Sequence, residues 1–206
     1  MSLFYERYPL SSEPNEEILT PIVLRRAQIG EKYWSATLDA IPDRFEYKDN
    51  VLGYVLKMHE HAETGWGLVL SGSFGSGKTA IGSIILMEGL KRRGRCLSVP
   101  CAAMVDRLWL KRGGELLNGA PFREGLEHVS FLFIDDFEFF DSKAKNTLVE
   151  QIIRARYDRD LPTIISTNLA WGRLLEEHYL ESMLHDRWWP VTVKGIDWRK
   201  RCFEDC

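Results

Sequence analysis

Residues 72–79 read Gly72-Ser73-Phe74-Gly75-Ser76-Gly77-Lys78-Thr79, a match to the pattern G-x-x-x-x-G-K-[ST]. Glycines at these places let successive backbone N–H groups turn inward around an anion. The pattern has that meaning only where the loop leaves a strand and opens a helix, whose positive dipole end then faces the anion. Both flanks agree. Gly67–Ser71 is a short apolar run that reads as a buried strand, and Thr79–Leu90 is apolar nearly all round (Ile81, Ile84, Ile85, Leu86), as suits a helix packed on a sheet. In that setting Gly72, Ser73, Phe74, Gly75, Ser76, Gly77, Lys78 and Thr79 form a cradle for a nucleoside triphosphate. Lys78 would reach the β- and γ-phosphates and the Thr79 hydroxyl would bind Mg²⁺. ATP and Mg²⁺ are therefore the expected ligands; the alternative is a glycine loop that merely turns the chain.

The rest of the chain reads in the same architecture. Val51, Tyr54, Val55 and Met58 follow the i, i+3, i+4, i+7 spacing of a helix. Cys96–Val99, Phe131–Ile134 and the β-branched Thr163–Thr167 after Pro162 read as further strands. Asp141 or Ser142 can cap a helix with Ala144, Leu148, Ile152 and Ala155 on one face. Strands separated by helices predict an α/β fold, a parallel sheet sandwiched between helices. Residues 1–28 read as an amino-terminal arm and 29–206 as a single nucleotide-binding core, with no separate lid domain expected.

Two further signals accompany the loop. Phe131–Asp136 is an apolar strand ending in two carboxylates, and in a parallel sheet such strand ends line the ligand crevice. Asp135 is then suited to hold Mg²⁺, and Asp136 to polarise an attacking water. Capping the next helix is their alternative use. Asn168, which follows the strand Thr163–Thr167, could orient water near the γ-phosphate or serve simply as a turn residue.

Composition sets outer bounds. The 206 residues carry a formal net charge of −3, which excludes capture of nucleic acid by bulk electrostatics alone. No stretch has the eighteen or so consecutive apolar residues that span a bilayer. The amino terminus lacks the basic and apolar regions of a secretory signal, so a cytoplasmic protein with no membrane contact is expected. Cys96, Cys101, Cys202 and Cys206 form no C-x-x-C pair and read as reduced thiols.

GSFGSGKT, FLFIDDFEFF, NTLVEQIIRARYDRDLPTIISTN, LHDRW and KGIDWR, in this order, resemble the AAA+ ATPases of the DnaC-type helicase-loader and IstB-like group. The resemblance runs from about residue 28 to residue 201. Its more specific elements are Arg156-Tyr157 ahead of Pro162, Ser166-Thr167-Asn168, and Gly195-Ile196-Asp197-Trp198-Arg199. It implies an AAA+ type P-loop fold and ATP hydrolysis to ADP and phosphate, slow and stimulated by assembly. Asn168 becomes the sensor that helps place the water. Arg187 becomes the arginine finger, offered through a self-association interface to the ATP of a neighbouring subunit, and Arg199 a nucleotide or interface residue. The implied partner is a replicative helicase, with single- or double-stranded DNA met by the assembled oligomer in DNA replication. Lys111, Arg112 and Arg123 fall in the stretch that lines a DNA groove in such proteins, with Trp109 the one candidate there for base stacking. Alternatives are an IstB-type helper that delivers DNA to a transposase, a small-molecule kinase, and an ATP-gated DNA-binding module with little hydrolysis. The chain departs from the family pattern in carrying Asp136 where many AAA+ proteins have Glu. It also has only the short arm where loaders usually carry a helicase-gripping domain.

Overall fold

The computed structural model describes residues 9–111, 116–117, 120–176 and 178–194. Its centre is a five-stranded sheet of β1 (Gly67–Ser71), β2 (Cys96–Pro100), β5 (Phe131–Phe137), β6 (Thr163–Thr167) and β7 (Trp188–Thr192), in the order β2-β5-β6-β1-β7. Every pairing is parallel. Two short strands, β3 (Leu116–Leu117) and β4 (Ala120–Pro121), pair antiparallel beside it.

Alternation along each strand sorts the core onto two faces. Leu68, Leu70, Phe131, Phe133 and Ile164 point one way, into a cluster with α2 (Tyr47–Leu56), α3 (Met58–Thr64) and α4 (Lys78–Lys91). Val69, Leu97, Leu132, Ile134 and Ile165 point the other way. There they meet α5 (Cys101–Lys111), α6 (Phe122–His128), α7 (Lys143–Tyr157), α8 (Trp171–Leu175) and α9 (His178–Arg187). A sheet covered on both faces buries every strand position, and β1 and β6 are buried at all five residues, the hydroxyls of Ser71, Thr163, Ser166 and Thr167 included. One contact fixes the depth of α4: a Cβ on Gly82 would lie 2.3 Å from Cζ of Phe133, so the helix reaches the sheet only because this residue has no side chain.

Residues 9–28 lie against this core. Ser11 N donates to Arg92 O at 2.8 Å and Asn15 N to Lys91 O at 2.9 Å, which occupies carbonyls at the carboxyl end of α4. Thr20 then caps α1 (Pro21–Arg26), with its hydroxyl accepting from Val23 N and Pro21 in the first turn. Leu10, Leu24, Ala27 and Ile29 join the core, and Ser98 N donates to Ala27 O at 2.8 Å. That bond lies on β2, the edge of the sheet, so the segment blunts an edge that would otherwise present unpaired backbone groups.

The helix after β5 buries a face that overlaps the predicted one at Ile152, with Leu148 packed at its margin, but is turned from it. Val149, Ile152, Ile153 and Arg156 are buried, whereas Ala144 is exposed. Arg156 is the reason. Its guanidinium is fully buried and donates from Nε to Thr163 Oγ1 (2.9 Å), from Nη1 to Leu126 O (2.8 Å) and Val129 O (2.9 Å), and from Nη2 to Pro162 O (2.8 Å). An arginine with these acceptors is satisfied inside, and its burial turns the helix toward it. Burial without a carboxylate partner lowers its pKa to about 9. Ser142 sits at the start of α7, but its side chain makes no capping bond. Asn146 closes the turn instead, through Phe140 N (2.8 Å) and Phe140 O (2.9 Å). Strand β7 is not evident in the apolar pattern; Pro190 lies within it and is tolerated because the strand is at the sheet edge.

Candidate nucleotide-binding site

The predicted loop leaves β1 at Ser71 and opens α4 at Lys78. Gly77 stands at the helix N-cap with φ 99°, a left-handed backbone that favours glycine. Gly72 has no room for a side chain, since a Cβ there would lie 2.3 Å from Val193 O. Lys78 is buried beneath the loop, and its Nζ donates to Gly72 O (2.9 Å), Ser73 O (2.9 Å) and Asn168 Oδ1 (2.8 Å). The loop is thus drawn over its own lysine, and the ammonium spans β1 and β6.

On the other side Thr79 Oγ1 donates to Asp135 Oδ1 at 3.1 Å, and Ser166 Oγ donates to the same oxygen at 2.5 Å. Ser166 Oγ also accepts from Asp136 N at 2.9 Å, so one hydroxyl binds both acids of β5 to β6. The pairing of β5 with β6 shifts register between Ile134 and Phe137, and Asp136 has φ 49°. The irregularity lets consecutive acids take different positions, Asp135 half-buried and Asp136 exposed. Burial pushes the Asp135 carboxyl above its ordinary pKa, and the neighbouring Asp136 charge adds to the rise, while the Ser166 and Thr79 hydrogen bonds oppose it.

The residues present fit a magnesium nucleotide. A hydroxyl and a carboxylate oxygen, the donor types a hard dication prefers, meet at Thr79 and Asp135. Beside them stand a glycine loop at a helix N-terminus and a buried ammonium.

Other predicted residues lie elsewhere. Trp188 pairs with Gly67 at the start of β1, whereas the phosphate loop follows Ser71 at its end. Arg187, just before Trp188, is therefore about a strand's length (roughly 16 Å for five residues) from its own loop. Arg123 on α6 bonds Glu127 (2.9 Å) and Gln151 (2.9 Å), and Trp109 on α5 is exposed. The Lys111 side chain, Arg112, Arg199 with the Gly195–Arg199 motif, and Cys202 and Cys206 lie outside the described residues. Cys96 and Cys101 are buried free thiols. Among the described residues no helix is long and apolar enough to cross a membrane. The contacts of Ser166 and Asp160 carry no local signal in the sequence, because their partners Asp135 and Arg187 lie far along the chain.

The parallel sheet and site can be set beside known proteins. No family model matches the sequence, and no curated protein matches it. Among solved structures, the DnaC helicase loader superposes with a TM-score of 0.66 at 22% identity, covering 80% of this chain and 100% of that one. DnaI gives 0.69 at 19% identity, covering 84% and 98%. The chain shares the fold of the DnaC helicase loader and of DnaI. AMPPCP-bound DnaA from Aquifex aeolicus shares it at a TM-score of 0.62 and 18% identity, over 86% of this chain and 55% of that one. In this fold the β2-β5-β6-β1-β7 sheet brings the loop, Asp135 and Asn168 to one rim.

Proposed function

We propose that this AAA+ protein is an ATPase of the helicase-loader type, which binds and hydrolyses ATP and acts on DNA through a replicative helicase. The observation that carries the reading is a division of the active residues. Lys78, Thr79, Asp135 and Asn168 join at one end of the sheet, and Arg187 stands at the other. One subunit then holds a nucleotide but cannot bring its own arginine to it. Two copies stacked head to tail can.

In this reading the loop N–H groups and Lys78 bind the β- and γ-phosphates, Lys78 exchanging its bond to Asn168 for phosphate oxygen. Released, the Asn168 amide orients the attacking water, and exposed Asp136 accepts its proton. Thr79 and Asp135 would hold Mg²⁺, which when bound offsets negative charge on the phosphates. Arg187 of the adjoining copy stabilises the charge that gathers in the transition state, a contribution of about 10³–10⁵ in rate where such fingers act. Turnover by a lone subunit is accordingly slow. The AMPPCP and single-stranded DNA bound by a DnaA of the same fold support ligands of these classes. Lys111, Arg112, Arg123 and Arg199 are the proposed basic contacts to DNA or nucleotide.

The reading is tested by nucleotide binding and turnover. Lys78→Ala is expected to lose ATP affinity, and Asp136→Asn to retain it while hydrolysis stops. Undiminished binding by the first or undiminished hydrolysis by the second contradicts it. In an ATP-dependent pull-down from the source cell a hexameric helicase is the expected partner; a transposase in its place would assign the same ATPase to DNA transposition.

A further inference from the structure

Arg187 is already engaged within its own subunit. Its Nε donates to Asp186 Oδ2 at 2.9 Å, and Nη1 forms a close ion pair with Asp160 Oδ1 and lies 3.5 Å from Thr64 O. The guanidinium carbon sits 4.7 Å from the centroid of the Tyr157 ring, whose hydroxyl donates to Asp186 Oδ2 at 2.7 Å. One cation is therefore held by two carboxylates, and these three groups together are formally negative. Such a cluster repels a triphosphate, and it uses N–H groups that a phosphate would need.

The two acids differ in what carries them. Asp186 neighbours Arg187 on α9 and moves with it. Asp160 belongs to the turn between α7 and β6, where its N donates to Tyr157 O at 3.0 Å and its φ is 49°. Against that turn packs Gly65, where a Cβ would lie 2.7 Å from Asp160 Cα. The backbone of Asp160 is thus pinned by the carboxyl end of α3, while Arg187 reaches it with a long side chain from another element. An acid and a cation on different elements, both partly solvated, make a separable pair.

We propose that Asp160 is an internal competitor for Arg187, latching the arginine to its own subunit until a nucleoside triphosphate bound by a neighbouring copy replaces it. The inference rests on the reading that Arg187 acts in trans. A terminal phosphate offers more charge and more acceptor oxygens than one carboxylate, so it takes the guanidinium when two subunits adjoin. A diphosphate lacks that terminal group and leaves Asp160 in possession. Assembly then follows the nucleotide state. The cost of release is small, because the pair is partly solvated: side-chain exposures are 28% for Arg187 and 44% for Asp160.

The test is Asp160→Asn in the full chain. Asparagine accepts a positive φ and so keeps the turn while losing the charge. The readouts are the protein concentration at half-maximal ATP turnover, and sedimentation mass with AMPPCP or ADP. Asp160→Asn is expected to reach half-maximal turnover at about two- to fivefold lower protein concentration, with the difference shrinking at high salt. Asp160→Gly, equally suited to the left-handed backbone, should shift it the same way, which separates lost charge from altered packing. An unchanged or higher concentration for both variants overturns the latch while leaving the trans reading in place. Should Arg187→Ala turn over as fast as the unsubstituted chain at every concentration, the trans reading itself falls, and the latch with it.

Discussion

Asp135 carries a conflict between stability and its proposed role. Its carboxylate is half-buried beside Asp136, and burial with that neighbouring charge raises its pKa in the folded protein. A raised acid binds its proton more tightly folded than unfolded, so the penalty begins as pH rises through the unfolded value of about 3.9 and is complete above the folded one. Asp135→Asn is therefore expected to raise the melting temperature of the nucleotide-free chain at pH 7, and to make no difference below about pH 3.5. ATP turnover with Mg²⁺ should fall in the same variant. Equal melting temperatures at pH 7 would show that the Ser166 and Thr79 hydrogen bonds fully offset the burial. At this scale Lys78, Thr79 and Asp135 are legible in the sequence because their chemistry requires those residue types at fixed places. Ser166 and Arg156 are not. Their roles depend on partners such as Asp135 and Leu126, thirty or so positions away, which only the folded topology brings near.

Elements are legible where one physical signal dominates. Gly67–Ser71 and Thr163–Thr167 appear as strands at the residues that the apolar run and the β-branched run predict. The α7 face is only partly legible, at Ile152, because an arginine, polar by type, forms the carboxyl end of its buried stripe. Depth of packing is also hidden, and Gly82 sets it for α4. Gly82→Ala would gain helix propensity yet press a methyl group into the buried Phe133 ring. A net loss of about 1–3 kcal/mol is expected in denaturant unfolding; no loss would mean that the ring yields freely. The joint between α2 and α3 has its own pH response. His61 is buried, stacks on Tyr54 with centroids 4.3 Å apart, and neither ring nitrogen has a hydrogen-bond partner among the described residues. Burial lowers its pKa, so its neutral form belongs to the folded state. Stability should then fall as pH drops through the unfolded value of about 6.5. Melting curves of His61→Phe, which keeps a stacked ring, should show less of that fall between pH 7 and 5. An unchanged slope would assign the effect to other groups.

For the whole molecule, the parallel strand order does what no motif can: it separates the phosphate loop from Arg187 by the length of β1. On the proposed function, that separation makes the nucleotide site half of a site, which a second copy would complete. Mixing two inactive variants tests this most directly. Arg187→Ala keeps the nucleotide cradle and lacks the arginine; Lys78→Ala keeps the arginine and lacks the cradle. Each alone is expected to hydrolyse ATP poorly. Mixed in equal amounts, they should recover a substantial part of the unsubstituted rate, because junctions form in which an intact cradle meets an intact Arg187. A mixture no faster than the sum of its parts, while sedimentation shows the two variants co-assembled, would contradict the account.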